Sequence, residues 1–117
     1  VLLERLFGGP PLDTEQLDRL RRAGGTRHPG LLAELIEAFL EEGPALLREI
    51  ETAEGPEGVI HAAHGLKGAA LDLGGHALAR VCGQLEGFGQ HESWRPELVR
   101  KARRELQRVS AFLRDTL

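Results

Sequence analysis

The sequence predicts an all-α fold: an antiparallel four-helix bundle with an additional short N-terminal helix packed against or over one end. Three observations predict it. Ala, Leu, Glu and Arg dominate while aromatics make up only 4% of the chain, and Ile, Val and Thr are too sparse to build strands. Apolar residues recur at alternating steps of four and three through most of the length, which is the pattern of amphipathic helices. Short Gly- and Pro-containing stretches punctuate these runs, and short connections join antiparallel neighbours.

Val1 to Phe7 is apolar, but Gly8-Gly9-Pro10-Pro11 interrupts it, so residues 1–11 are expected to be a leader or linker and residues 12–117 one folded domain. Asp13 and Gln16 have capping-box spacing, with Leu12 and Leu17 at the staple positions. A short helix should therefore begin here and end near Gly24-Gly25. A second helix is expected from Pro29, carrying Leu32, Ile36, Phe39, Gly43, Leu46, Ile50 and Ala53 as a heptad seam. The seam keeps its phase through Gly43-Pro44, which predicts one long helix kinked where Pro44 lacks a backbone donor.

After Gly55-Pro56, the stripe Val59, Ala63, Leu66, Ala70 and Leu73 marks a third helix closed by Gly74-Gly75. Leu78, Val81, Cys82 and Leu85 mark a fourth, fraying around Gly87 to Gly89. After Ser93, the run Val99, Ala102, Leu106, Val109 and Leu113 marks a fifth that reaches nearly to the C-terminus. Trp94, the only tryptophan, is expected to pack over the bundle end.

Composition excludes several function classes. A net charge of -3 gives no global reason to expect nucleic acid or an anionic membrane as partner. Residues Arg95 to Leu117 hold seven basic and three acidic side chains, and Pro29 to Glu54 seven acids against Arg48; both read as solvated helix faces. Cys82 is the only cysteine, so no internal disulfide can form, and its place in an apolar stripe predicts burial. No apolar run approaches the roughly 18 to 20 residues that span a bilayer, and the start lacks a secretory pattern. A soluble, cytoplasmic domain without direct membrane insertion is expected. Methionine is absent even at position 1, which predicts a piece of a longer protein.

The third helix carries the chemistry. At about 100° per residue from the core seam, Lys67 falls near 80°, Leu71 near 120°, His64 near 140° and Gly68 near 180°. They form one strip beside the core. His64 and Lys67 are surface neighbours three residues apart, and Gly68 removes a side chain one turn after the histidine. A phosphate-accepting histidine needs an open neutral nitrogen, a nearby cation and room for a partner. A mid-helix glycine costs roughly 1 kcal/mol relative to alanine, so Gly68 requires a compensating use. His61 and His64 could share a metal by spacing, but no Cys or second His pair completes a site. His28, His76 and His91 fall near helix ends or loops as surface residues.

The run Ala63-His64-Gly65-Leu66-Lys67-Gly68, then Leu73-Gly74, then Leu78, Cys82 and Leu85-Glu86, resembles the signature of histidine-containing phosphotransfer domains. The helix pattern from Leu12 to Leu113 is similar to that family's bundle. Gly65 and Ala69 stand where many relatives carry a hydroxyl, and Asp72 where asparagine is frequent. The resemblance implies that His64 is the phosphoacceptor through Nε2, that Lys67 stabilises the phosphoryl group and that Gly68 gives access to the partner. It implies response-regulator receiver domains as partners, with the acidic pocket and Mg²⁺ supplied by the receiver and no cofactor bound by this domain. The chain has no Walker motif or nucleotide-binding glycine loop, so it is expected to act as a phosphotransfer intermediate without ATP-dependent kinase activity of its own. It is expected to be part of a larger sensor histidine kinase or relay protein. Two alternatives stay open: an interaction module that is not phosphorylated, and the substrate domain of a chemotaxis-type kinase.

Overall fold

The computed structural model describes residues 11–88 and 91–117. These residues form five helices, α1 (Thr14–Gly24), α2 (Leu31–Thr52), α3 (Pro56–Asp72), α4 (His76–Phe88) and α5 (Arg95–Thr116), and no strand among them. The expected leader, apart from Pro11, lies outside the described residues, as does Gly89 of the expected fraying segment.

Helix α1 starts as its sequence requires. Asp13 Oδ1 accepts the backbone N–H of Glu15 at 3.0 Å and of Gln16 at 3.2 Å, and the flanking Leu12 and Leu17 are buried. The reciprocal half of the capping box is replaced. The Gln16 side-chain amide donates to the Leu71 carbonyl at 2.7 Å and the Asp72 carbonyl at 3.0 Å, satisfying groups that the last turn of α3 leaves without helical partners. The Asp13 N–H donates to the Gly74 carbonyl at 2.9 Å, so the start of α1 is fastened to the end of α3.

Helix α2 begins at Leu31 rather than Pro29. Pro29 lies in a turn in which the His28 N–H donates to the Gly24 carbonyl and the Leu31 N–H to the His28 carbonyl. The helix continues unbroken past Pro44. Its buried stripe is Leu32, Ile36, Phe39, Gly43, Leu47 and Ile50, with Leu46 and Ala53 only half-buried. The steps are four, three, four, four and three, the 3.6-residue period of a straight helix, so the expected heptad seam slips by one residue after Gly43. A Cβ at Gly43 would come within 3.0 Å of Leu106 Cδ1, which shows how closely α5 crosses there.

Helix α3 ends in a Schellman motif: the Gly75 N–H donates to the Ala70 carbonyl at 2.8 Å and the Gly74 N–H to the Leu71 carbonyl at 3.1 Å, with Gly74 at φ +81°. The stripe of α5 is buried as expected, including Val99, Ala102, Leu106, Val109 and Leu113. Trp94 departs from expectation. It is the N-cap of α5 and 59% exposed. The first buried residues of α5 are Leu98 and Val99, one turn further in, so the indole flanks the core beside Gln84 and Lys101 instead of covering it.

Helix α2 packs on α3, α3 on α4, α4 on α5 and α5 on α2, while α1 packs on α2. The four longer helices thus close a ring around one core. The acidic α2 and basic α5 meet in an ion pair, Glu51 with Arg103 at 2.7 Å, although such an exposed pair contributes little. No described helix is long and apolar enough to cross a membrane.

Gly74 is the residue on which the α3–α1 junction turns. A Cβ there would lie 2.9 Å from Asp13 Cβ and 3.1 Å from Asp13 N, in a conformation that L side chains rarely adopt. Gly74→Ala is therefore expected to cost roughly 1–3 kcal/mol in urea unfolding, and unchanged stability would show that the junction yields freely.

Candidate functional site

Helix α3 faces two environments. Val59, Ala62, Ala63, Leu66 and Ala70 are buried, and burying that stripe turns the opposite strip outward. The His64 side chain is 74% exposed. A Cβ at Gly68 would meet nothing within 4 Å, so no close helix packing explains this glycine. Ile60 and Leu71 are exposed on either side of His64 along the helix. The three residues singled out in the sequence, His64, Lys67 and Gly68, thus share one accessible strip.

A fourth residue joins them from α4. Glu86 Oε1 lies 2.7 Å from His64 Nδ1, and Lys67 Nζ donates to Glu86 Oε2 at 2.6 Å. An ionised carboxylate only accepts hydrogen bonds, so it selects the tautomer in which Nδ1 carries the proton. In a neutral ring, Nε2 then keeps its lone pair. Lys67, expected as the cation beside His64, is also paired with Glu86 and only 29% exposed.

Electrostatics follow from this bridge. Partial burial pushes the Glu86 carboxyl up, but its hydrogen bonds from Lys67 and His64 and the positive charge beside it together hold it below the usual carboxylate range. Beneath it, burial, reinforced by the Glu86 charge, pushes the Cys82 thiol up to about 12. That thiol is fully buried, a core residue rather than a nucleophile. Glu57, Ile60, His61, His64, Lys67 and Glu86 line an open depression of about 630 Å³.

The role of Glu86 escapes a reading of the sequence, because its partners are 22 and 19 residues away. Two signals exist: Glu86 closes the run of residues that carries the family resemblance, and it follows Cys82 by four, which places an acid at the edge of an otherwise apolar stripe. Among the described residues, no group of three or more His, Cys, Asp or Glu side chains is placed to hold a metal ion. His28, His76 and His91 are exposed and lie apart from the depression.

Comparison with known proteins bears on the same region. The sequence model of the Hpt domain family matches residues 34–112. The fold is similar to the crystal structure of histidine-containing phosphotransfer protein B from Pseudomonas aeruginosa PAO1, at 24% identity and a TM-score of 0.79, covering 92% of this chain and 94% of that one. It is also similar to a histidine-containing phosphotransfer protein from rice described as putative, at 21% identity and a TM-score of 0.78, covering 97% and 84%. At these identities the likeness is one of fold. No curated protein matches the chain significantly.

The lowered Glu86 carboxyl has a consequence for stability. The unfolded chain takes up this proton first as pH falls, so the contribution is present above about pH 4.5 and is lost as pH drops through the lower folded value. Glu86→Gln should flatten the acid limb of a stability–pH curve, and equal acid slopes for the two proteins would contradict the bridge.

Proposed function

Because the chain belongs to the Hpt (histidine-containing phosphotransfer) domain family, whose function is histidine phosphotransfer in a phosphorelay, we propose that His64 is its phosphoacceptor. In this reading His64 Nε2 takes the phosphoryl group from a receiver-domain aspartate and passes it to another receiver. The single observation that carries the assignment is the 2.7 Å contact of His64 Nδ1 with Glu86, which commits one ring nitrogen and leaves the other open on a side chain that is 74% exposed.

The transfer balances without ATP. The Nε2 lone pair forms an N–P bond to the acyl phosphate as its O–P bond breaks, and the aspartate leaves as a carboxylate. Positive charge that develops on the ring is offset by Glu86 at Nδ1. Onward transfer reverses these changes, and the electron pair returns to Nε2. Catalysis then consists of positioning and charge stabilisation, with Lys67 near the phosphoryl oxygens and Gly68 leaving space for the receiver. The Mg²⁺ expected in such a relay belongs to the receiver. On this chain the His64 ring is bonded to Glu86, whose carboxylate is also bonded to Lys67, and with Glu57 and His61 on the same depression the described side chains still form no group of three or more placed to hold a metal ion, which does not suit a hard divalent cation.

The same reading takes the ring of α2 to α5 as an antiparallel four-helix bundle with α1 over one end. It places the domain in the cytoplasm, within a larger sensor histidine kinase or relay protein.

Incubation with phosphorylated receivers and Mg²⁺ should put acid-labile phosphate on the wild-type chain and none on His64→Gln. Thermal unfolding should be nearly unchanged because the ring is exposed. Phosphate uptake by His64→Gln at the wild-type rate would sink the assignment.

Gly68→Leu sets helix propensity against access. Leucine is the better helix former by somewhat under 1 kcal/mol, and open space surrounds the position, so stability should hold or rise slightly. Transfer from receivers should slow while reaction with phosphoramidate stays near the wild-type rate. Equal slowing with both donors would point to a disturbed His64 rather than a blocked approach.

A further inference from the structure

We propose that His61 is a second phosphoryl-stabilising residue, a hydrogen-bond donor to phosphoryl oxygens whose charge Lys67, held by Glu86, cannot offset alone. The inference rests on His64 being the phosphoacceptor. It starts from charge at the site. The depression is lined by Glu57, Ile60, His61, His64, Lys67 and Glu86. Its formally charged side chains are two carboxylates and one ammonium, and that ammonium is 2.6 Å from Glu86. A phosphoryl group brings a further charge of about -2. Lys67 is already largely offset, so the surroundings are net negative before the phosphoryl group arrives.

Besides His64 itself, His61 is the one lining residue that can still add positive charge. It is exposed and, among the described residues, makes no side-chain hydrogen bond or ion pair. Geometry favours it too. Side chains on a helix lean toward its N-terminus, over the turn three and four residues earlier. His61 and His64 stand one turn apart on α3 and line the same depression, whereas Lys67 stands on the turn beyond His64. A group on Nε2, the ring atom not bonded to Glu86, enters the depression that His61 borders. There a ring N–H of His61 donates to a phosphoryl oxygen, charge-assisted when that ring is protonated. Glu57, one turn earlier at an i, i+4 spacing, can accept the other N–H, as Glu86 does for His64.

The test is the lifetime and formation rate of phosphohistidine on the full chain, phosphorylated with phosphoramidate and, separately, by phosphorylated receivers. Intact mass and acid lability provide the readout. His61→Arg should retain the wild-type lifetime or lengthen it, His61→Ala should shorten it by about two- to fivefold, and His61→Glu should shorten it more. That order by charge, with rescue by arginine and unchanged thermal unfolding, is one a merely structural residue would not produce. Equal lifetimes in all four proteins would overturn the His61 role while leaving His64 intact. Failure of the wild type to take phosphate from either donor would overturn the His64 assignment, and this inference with it.

Discussion

Burial of one face of α3 is the constraint from which the rest of this structure follows. Ala62, Ala63 and Ala70 on that face are small, and with Val59 and Leu66 they are excluded from water by α2 on one side and α4 on the other. Small side chains let two neighbours approach a single helix closely, and close packing leaves α3 no freedom to rotate about its axis. The outward strip is therefore held by the inward one. The exposure of His64 is a consequence of the alanines opposite it.

The junction between α3 and α1 secures the same helix along its length. The Schellman motif at Gly74 uses the last carbonyls of α3 internally, and the Gln16 amide takes up those of Leu71 and Asp72. A helix end satisfied in this way does not fray into the turn that carries Gly68 and Leu71. The short first helix thus contributes to the site without touching it, by closing the far end of the helix on which the site lies.

Glu86 connects packing to chemistry. Its carboxylate reaches across from α4 because Cys82 and Leu85, on the same helix, are buried against α3. The bridge to His64 Nδ1 and Lys67 Nζ orients the ring and selects its tautomer, but it also uses much of the lysine's charge. A site arranged in this way prepares the nucleophile well and leaves the arriving phosphoryl group short of positive charge. The loosely engaged groups at the rim of the depression then acquire significance.

Whatever depends on local chemistry and periodicity was legible in the amino-acid order alone. It showed the helical composition, the Asp13 cap, the Gly74-Gly75 terminus, the continuous helix through Pro44, and the strip of His64, Lys67 and Gly68. These follow from the geometry of one helix at a time, so neighbouring residues suffice to reveal them. Tertiary packing settled what depends on how helices meet. Leu47 replaced Leu46 in the core because the buried residues of α2 follow the 3.6-residue period of an α-helix rather than a seven-residue repeat. Trp94 stayed in solvent because α5 begins burying residues only at Leu98. Gln16 left its own capping box for carbonyls 55 and 56 residues away. Most consequentially, Glu86 met His64 and Lys67 across the α3–α4 seam. No periodicity in either helix encodes that meeting, because the relative rotation and height of two packed helices are settled by the side chains interlocked between them.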